Sequence, residues 1–325
     1  MTTNTNELHV IFGTGPMGAA IMTELLARGK RIRMINRKGK PSLATGSPQG
    51  VEFRAADLYQ PGSAAEAAKG ATHIYQAAQP EYHEWIEKFP PIQQAVLDAA
   101  IKIGAKLIVV ENLYMYGDTN GAVITEQTPY KPTAQRKGVL RTRLTEQLMD
   151  AHQKGRVQVV TGRGADFYGP GDMVMGERTF INALKGKQVS SLGNPDMPHT
   201  FTYTRDFGKA LVILGENDDA FGQAWHVPSA EPITQRELIT MVFQEAGTTP
   251  KIGSMGTMML RIGGLFVPAA REVIEMMYEF NKPFIVDSSK FTKRFGMTAT
   301  PYRQSIAETI AWFKAHLPEI EAAHK

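Results

Sequence analysis

The stretch His9-Val-Ile-Phe-Gly-Thr-Gly-Pro-Met-Gly18 decides how this chain is read. Leu8 to Phe12 is apolar enough to be a buried parallel strand, and it runs directly into Gly13-x-Gly15-x-x-Gly18. A helical pattern follows, with Ile21, Met22, Leu25 and Leu26 on one face until Gly29. In that order the glycines have physical tasks. Gly13 permits the tight turn, Gly15 lets the backbone approach a pyrophosphate, and Gly18 lets helix and strand pack closely. The helix turns unbonded N–H groups and its positive dipole end toward the phosphates. Thr14, Pro16 and Met17 complete this loop and are read with the glycines as cofactor-binding positions. A glycine-rich turn of no special function is the alternative. The placement between a strand and a helix, with a second strand behind, argues against it.

That second strand, Arg31 to Ile35, alternates basic and apolar residues and leads into Asn36-Arg37-Lys38. A dinucleotide fold that takes NAD places Asp or Glu about 20 residues beyond the glycines, on the ribose 2′-hydroxyl. Asn36 stands there instead and carries no charge to repel a phosphate. Arg37 and Lys38 are then placed to pair with the 2′-phosphate of NADP, the arginine in bidentate fashion. The expected cofactor is NADP(H) rather than NAD. A solvated basic turn is the competing explanation.

A chain of 325 residues, 42% hydrophobic and 21% charged, suits one large or two ordinary soluble domains. The net charge is only +4 and the basic residues are spread out, which argues against a nucleic-acid footprint. With no cysteine, disulfides, thiolate metal sites and a cysteine nucleophile are excluded. The histidines lack ligand spacing, so no metal is expected. No Gly-x-Ser-x-Gly elbow or P-loop occurs. The polar start lacks a signal-peptide core, and the apolar stretch Met255 to Ala270 is too short and interrupted to span a bilayer. A cytoplasmic protein with no membrane partner is expected.

Further strands are predicted at Val51–Ala55, His73–Ala77, Lys106–Val110 and Val157–Thr161. Helices are predicted from a Ser63 cap to Lys69, at Pro91–Ile103 and at Lys137–Gln153. Strands alternating with such helices demand right-handed parallel crossovers. The fold class is therefore α/β: a doubly wound parallel Rossmann sheet with a smaller C-terminal α/β substrate lobe. Residues 1–165 would be the NADP-binding domain. Residues 166–325 would be mainly the substrate lobe, with some elements returning to the sheet. There, prolines break the chain into short elements, with helices predicted at Glu177–Lys185, Asp206–Leu214, Thr234–Ala246, Ala270–Phe280 and Gln304–His316.

Over nearly its whole length the chain resembles the extended short-chain dehydrogenase/reductase family, the group containing nucleotide-sugar epimerases and dehydratases. The landmarks are the glycine motif, Asp57-Leu58, Ala77-Ala78, Tyr116-Gly117, Phe167-Tyr-Gly-Pro-Gly171 and Phe201-Thr-Tyr-Thr-Arg-Asp206, in the family's order. The resemblance implies that Asp57 and Leu58 lie by the adenine and that Ala77, Ala78 and Gln79 line the cofactor groove. It also implies Ser or Thr after strand five and a Tyr-x-x-x-Lys on the next helix. A phenol and an ammonium at i and i+4 share a helix face, so the lysine lowers the phenol's pKa and the tyrosine works as acid or base.

Here those positions are substituted. Asn112 stands four before Tyr116, the expected tyrosine falls at Lys137 or Gly138, and the expected lysine at Arg141 or Thr142. A literal Tyr278-Glu-Phe-Asn-Lys282 lies far off in the C-terminal lobe and reads as a helix end with a snorkelling lysine. The replacements have chemistry of their own. Asn112 can donate to a carbonyl, Lys137 and Arg141 can hold ribose or phosphate, and Tyr114 or Tyr116 can supply a proton. Packing is the better reading of Tyr116. Catalytic candidates are Asn112, Tyr114 and Lys137, with Asn112 and Lys137 also touching cofactor. Tyr82 and Trp85, beside His83, suit an apolar or ring-shaped substrate, and Tyr114, Tyr168 and His199 join them as substrate-side candidates. His199 falls where sugar-nucleotide enzymes place an arginine, and a neutral imidazole serves a diphosphate poorly.

The leading expectation is an oxidoreductase-like protein moving hydride between NADP(H) and a carbonyl or alcohol of a small molecule. The alternatives are a non-catalytic NADP(H) sensor and, third, a sugar-nucleotide epimerase or dehydratase. A homodimer is expected by family analogy alone.

Overall fold

Seven parallel strands form the frame of the protein, in a computed structural model that describes residues 7–132, 136–263 and 272–323. They are β1 (Leu8–Phe12), β2 (Arg31–Asn36), β3 (Val51–Ala55), β4 (His73–Gln76), β5 (Lys106–Glu111), β6 (Val159–Arg163) and, far along the chain, β11 (Ala224–His226). Their order is β11-β6-β5-β4-β1-β2-β3, and every pairing is parallel. β1 is fully buried, as its uninterrupted apolar run requires of a strand covered on both faces. Val10 registers with Arg33 on one side and Ile74 on the other. The chain therefore winds outward from β1 in both directions, and the crevice at the carboxyl ends of β1 and β4 is the topological switch point.

Helices cover both faces. On one side α2 (Ser63–Ala67), α3 (Trp85–Ile103) and α4 (Arg136–Gln153) bury Ala64, Val96, Ala100 and Leu148 against Val10, Leu107 and Val159. On the other, α1 (Pro16–Ala27) and α5 (Thr204–Glu216) pack Ile21, Leu25, Phe207 and Leu211 onto Ile11, Tyr75 and Val160. α1 and α5 approach so closely that a Cβ on Gly208 would meet the Cβ of Ala20 at 2.7 Å. Thus α5 and β11 belong to the sheet layer although they lie after residue 200.

The C-terminal lobe has its own apolar core, in which Phe180, Val189, Leu238, Val242, Ile306 and Phe313 meet. Its strands are β7 (Asp166–Tyr168), β8 (Val189–Leu192), β9 (Pro198–His199), β10 (Phe201–Tyr203), β12 (Ile233–Thr234) and β13 (Ile252–Met255), paired two by two. Its longer helices are α6 (Gln235–Ala246), capped by a reciprocal Thr234–Glu237 box, and α7 (Tyr302–Ala323).

Several elements differ from expectation for physical reasons. Ser63 is not a cap: Gly62 holds the N-cap position in a left-handed conformation, and no side chain bonds there. α3 starts at Trp85 rather than Pro91 and carries Pro90 and Pro91 inside it. Burial of Trp85 and Phe89 against Leu140 and Leu144 of α4 holds that first stretch helical. The seventh strand, β11, is three residues long and too short to leave a pattern in sequence. Of the predicted helix Ala270–Phe280, Ala270 and Arg271 lie outside the described residues, as do residues 264–270 of the apolar stretch. The remainder of that helix is a turn at Ile274–Met276 and a short helix Tyr278–Asn281.

Candidate cofactor and substrate site

The loop Gly13–Gly18 closes the carboxyl end of β1 at the switch point. A Cβ on Gly13, whose φ is +109°, would lie 2.8 Å from the backbone of Ala77, so the loop rests directly on the end of β4. A Cβ on Gly18 would meet the Gly13 carbonyl oxygen, which is why helix and loop can pack at all. Gly15 behaves oppositely: it is exposed, nothing lies within 4 Å of where its Cβ would be, and it forms the N-cap of α1. No side chain caps this twelve-residue helix, Pro16 occupies its first turn, and no acid sits there. An open, uncapped helix N-terminus with a bare glycine in front of it fits a pyrophosphate.

Asn36 ties the neighbouring loop to this one. Its Nδ2 donates to Thr14 Oγ1 at 2.9 Å, and its Oδ1 accepts from the backbone N–H of Gly39 at 2.7 Å and of Lys38 at 3.0 Å. Ser42 Oγ donates to the Thr14 carbonyl at 2.5 Å. With Asn36 spent on turn geometry, Arg37 and Lys38 stand exposed beside it, with no carboxylate bonded to either among the described residues. Asp57 turns its own Oδ1 to the Tyr59 N–H at 3.0 Å, and Leu58 packs against the sheet core. Ala77, Ala78 and Gln79 follow β4, half-buried except for the exposed Gln79.

Deeper in the crevice, Asn112 follows β5 with its Oδ1 buried and unpartnered among the described residues. The Tyr82 hydroxyl donates to the Tyr114 hydroxyl at 3.4 Å. Burial, then the neighbouring Tyr82, Glu279 and Asp166, push the Tyr114 phenol well above its usual range, so it is a hydrogen-bond donor rather than a source of phenolate. Lys137 is only 1% exposed; its Nζ pairs with Glu272, lies 3.2 Å from Glu275 Oε1, and sits 4.4 Å from the centre of the Tyr82 ring. Trp85 is buried, its Nε1 donating to Pro80 O at 3.2 Å, while His83 is exposed.

Arg141 points elsewhere. It is buried over the Phe89 ring, with Nη2 3.4 Å from Val110 O and 3.7 Å from Glu111 Oε1. Glu111 is the hub of a closed polar network: Arg163 Nε donates to it at 2.8 Å and Thr145 Oγ1 at 2.6 Å. Arg163 also donates to Tyr116 OH at 2.6 Å and to Tyr130 OH at 2.7 Å. The arginines hold the Glu111 carboxyl below its usual range against the burial that would raise it. Tyr116 is thus packed and fully engaged. Tyr168 is buried as well, its hydroxyl 2.6 Å from Ser305 Oγ, and Lys282 pairs with Asp118 at 2.6 Å. His199 is buried beneath the crevice, bonded to Asp166.

A family model described as the NAD dependent epimerase/dehydratase family matches residues 10–227. The chain belongs to that family. The match spans the sheet layer from β1 to β11, including the loop, Asn112, Lys137, Asp166 and His199. No curated protein matches. Among solved structures, an epimerase from Methanothermobacter thermautotrophicus superposes with a TM-score of 0.82 at 12% identity, over 98% of this chain and 95% of that one. The dTDP-glucose 4,6-dehydratase of Streptomyces venezuelae, solved as a double mutant with NAD, gives 0.78 at 16%, over 96% and 98%. The UDP-glucuronic acid 4-epimerase of Bacillus cereus, in complex with NAD, gives 0.75 at 15%, over 95% and 99%. At these identities the likeness is one of fold.

Residue patterns missed Asp166, Glu279 and the Glu272/Glu275 pair. Asp166 offered a faint signal, as a polar residue just past a predicted strand end. The others lie in the broken segment after residue 271, whose facing partners only folding supplies.

Proposed function

We propose that this family member binds NADP(H), with the pyrophosphate at Gly15 and the N-terminus of α1, and exchanges hydride with a carbonyl or alcohol of a small molecule. The observation that carries the reading is the open, uncapped helix start at the switch point. Support for NADP comes from the exposed Arg37 and Lys38 and from an Asn36 already spent on the loop. Bound there, the nicotinamide supplies or takes up the hydride. The chain's own groups orient the partner: Asn112 offers an amide whose oxygen is unsatisfied among the described residues, Tyr114 a hydroxyl that keeps its proton, and Lys137 an ammonium already paired with Glu272 and Glu275. Tyr82 and Trp85 form an aromatic edge suited to an apolar or ring-containing substrate. The same reading expects a cytoplasmic protein, as the polar opening residues and ordinary composition do. Among the described residues no helix is long and apolar enough to cross a membrane.

The decisive experiment titrates NADPH and NADH by nicotinamide fluorescence, then adds carbonyl compounds and follows absorbance through one turnover. NADPH should bind more tightly, and one class of carbonyl should oxidise it. Arg37→Asp should lower NADPH affinity about 10- to 100-fold, as expected for one charge-assisted contact, with NADH spared. An unchanged preference would place the 2′-phosphate elsewhere.

A second reading, epimerisation or dehydration of a sugar nucleotide, is favoured by the solved neighbours of those classes that cover 96% and 95% of this chain. It shares the hydride step and the site. Conversion of a UDP- or dTDP-sugar with no net change in NAD(P)H would select it.

A further inference from the structure

We propose that Asp166 and His199 together hold the proton exchanged with the substrate, Asp166 meeting the substrate oxygen and His199 positioning Asp166. The proposal rests on the hydride-transfer reading above and supplies the group that reading lacks.

His199, on β9, is 1% exposed and lies among the rings of Phe280, Phe284 and Phe201. Its Nδ1 is 3.2 Å from the Glu279 carbonyl oxygen, which can only accept, so this contact is a hydrogen bond only with a hydrogen on Nδ1. Its Nε2 is 2.9 Å from Asp166 Oδ2. A neutral imidazole protonated at Nδ1 would aim a lone pair at a carboxylate oxygen. A second hydrogen must therefore lie between Nε2 and Oδ2, on one or the other.

His226 shows the contrast. Its Nδ1 faces the Asp287 carbonyl oxygen at 2.9 Å, but its Nε2 faces Tyr116 OH at 2.8 Å, a partner that brings its own hydrogen. That count closes with a neutral ring, and burial holds the imidazole down to about 3. Two buried histidines with nearly the same backbone contact thus differ by one proton, because one partner is a phenol and the other a carboxyl.

Asp166 is also in the right place. It opens β7, just past the carboxyl end of β6, and its side chain is 28% exposed where His199 is sealed. Among the described residues its Oδ1 has no hydrogen-bond partner. Tyr82 and Tyr114 lie within electrostatic range, as do Glu279, Asp172 and Arg178. Of these neighbours, Glu279 and Asp172 are buried acids pushed above the carboxylate range, Asp172 up to about 6. Tyr114 keeps its proton. The Asp166–His199 pair, partly open to solvent, is the exchanger that remains.

In the reductive direction the carbonyl carbon accepts hydride from reduced nicotinamide, which is thereby oxidised. The carbonyl π pair takes the proton that Asp166 Oδ2 shares with His199 Nε2, giving the alcohol and leaving a carboxylate opposite a neutral imidazole. The pair is left one proton short and regains it from water. Oxidation reverses each transfer.

The test has a spectroscopic arm and a kinetic arm. Protein labelled with 15N at histidine, without cofactor, should show at pH 7.5 a strongly deshielded proton bonded to or facing His199 Nε2. Asp166→Asn should abolish it while leaving the His226 signals in place. With NADPH and a reducible carbonyl, Asp166→Asn should slow hydride transfer about a hundredfold or more with NADPH affinity retained. Asp166→Glu should restore part of the rate, and His199→Gln should displace the pH profile. No such proton in the wild type, or a wild-type rate in a folded, NADPH-binding Asp166→Asn protein, would overturn the proposal. If NADPH binds and no carbonyl oxidises it, the hydride-transfer reading fails and takes the substrate role of the pair with it. The proton signal would then show an ion pair of purely structural use.

Discussion

Asn112, just after β5, holds a buried amide oxygen that finds no donor among the described residues, a condition that costs about 1–3 kcal/mol unless a ligand offsets it. If that oxygen accepts from a substrate hydroxyl and so orients the reacting group, Asn112→Ala should lower single-turnover rates about a hundredfold, with NADPH affinity little changed. An unaltered rate would remove Asn112 from the mechanism. Glu111 shows the opposite case, a polar group whose partners are all present. It faces Arg163, and both side chains are fully buried. Glu111→Ala would leave the Arg163 charge uncompensated and should cost about 3–5 kcal/mol in urea unfolding. A loss near that of a surface substitution would mean that the two tyrosine hydroxyls suffice to hold the guanidinium.

At the level of elements, the site depends on how close α1 can come to its neighbours. Gly208 of α5 leaves no room for a side chain against Ala20, and the loop before α1 rests on β4 through Gly13. Gly208→Val should push α1 and α5 apart and destabilise the fold by about 1–3 kcal/mol, visible as a lower urea midpoint at unchanged slope. Gly13→Val should do something different. Its strain and its contact with Ala77 fall on the loop itself, so NADPH affinity should be lost before global stability. The glycine pattern was legible in sequence because backbone geometry demands it locally. The α1–α5 contact was not, since it joins residues nearly two hundred positions apart.

For the molecule as a whole, buried neutral histidines set the acid limit. Burial holds both His9, stacked on His73 at the start of β1, and His226, beside Tyr116, at about 3, against an ordinary value of 6.5. A depressed histidine favours folding only while it stays neutral. Unfolded chain binds these protons from about pH 6.5 downward, so stability should fall as pH drops from there toward 3, by up to ~1.4 kcal/mol per pH unit for each histidine. Asp172, raised to about 6, works the other way: it favours the fold when protonated and offsets part of the loss between about pH 6 and 4. Urea midpoints measured from pH 7 to pH 4 should decline, and His226→Gln should flatten the slope even though it lowers stability at pH 7. A midpoint independent of pH would mean that these rings are protonated in the folded protein.

The sequence by itself determined the parallel sheet, the glycine loop and the helix that follows it, because strand burial and loop geometry are local demands written in contiguous residues. By resemblance it also put the usual Tyr-x-x-x-Lys positions at Lys137 or Gly138 and at Arg141 or Thr142. Only the tertiary structure decided what those residues face: Lys137 meets Glu272 and Glu275, whereas Arg141 turns to the Glu111 network. The same holds for β11, three residues stabilised by pairing with β6, and for Asp166 and His199, thirty-three positions apart. A proton count depends on which atoms stand opposite one another, and that is settled by packing across the fold.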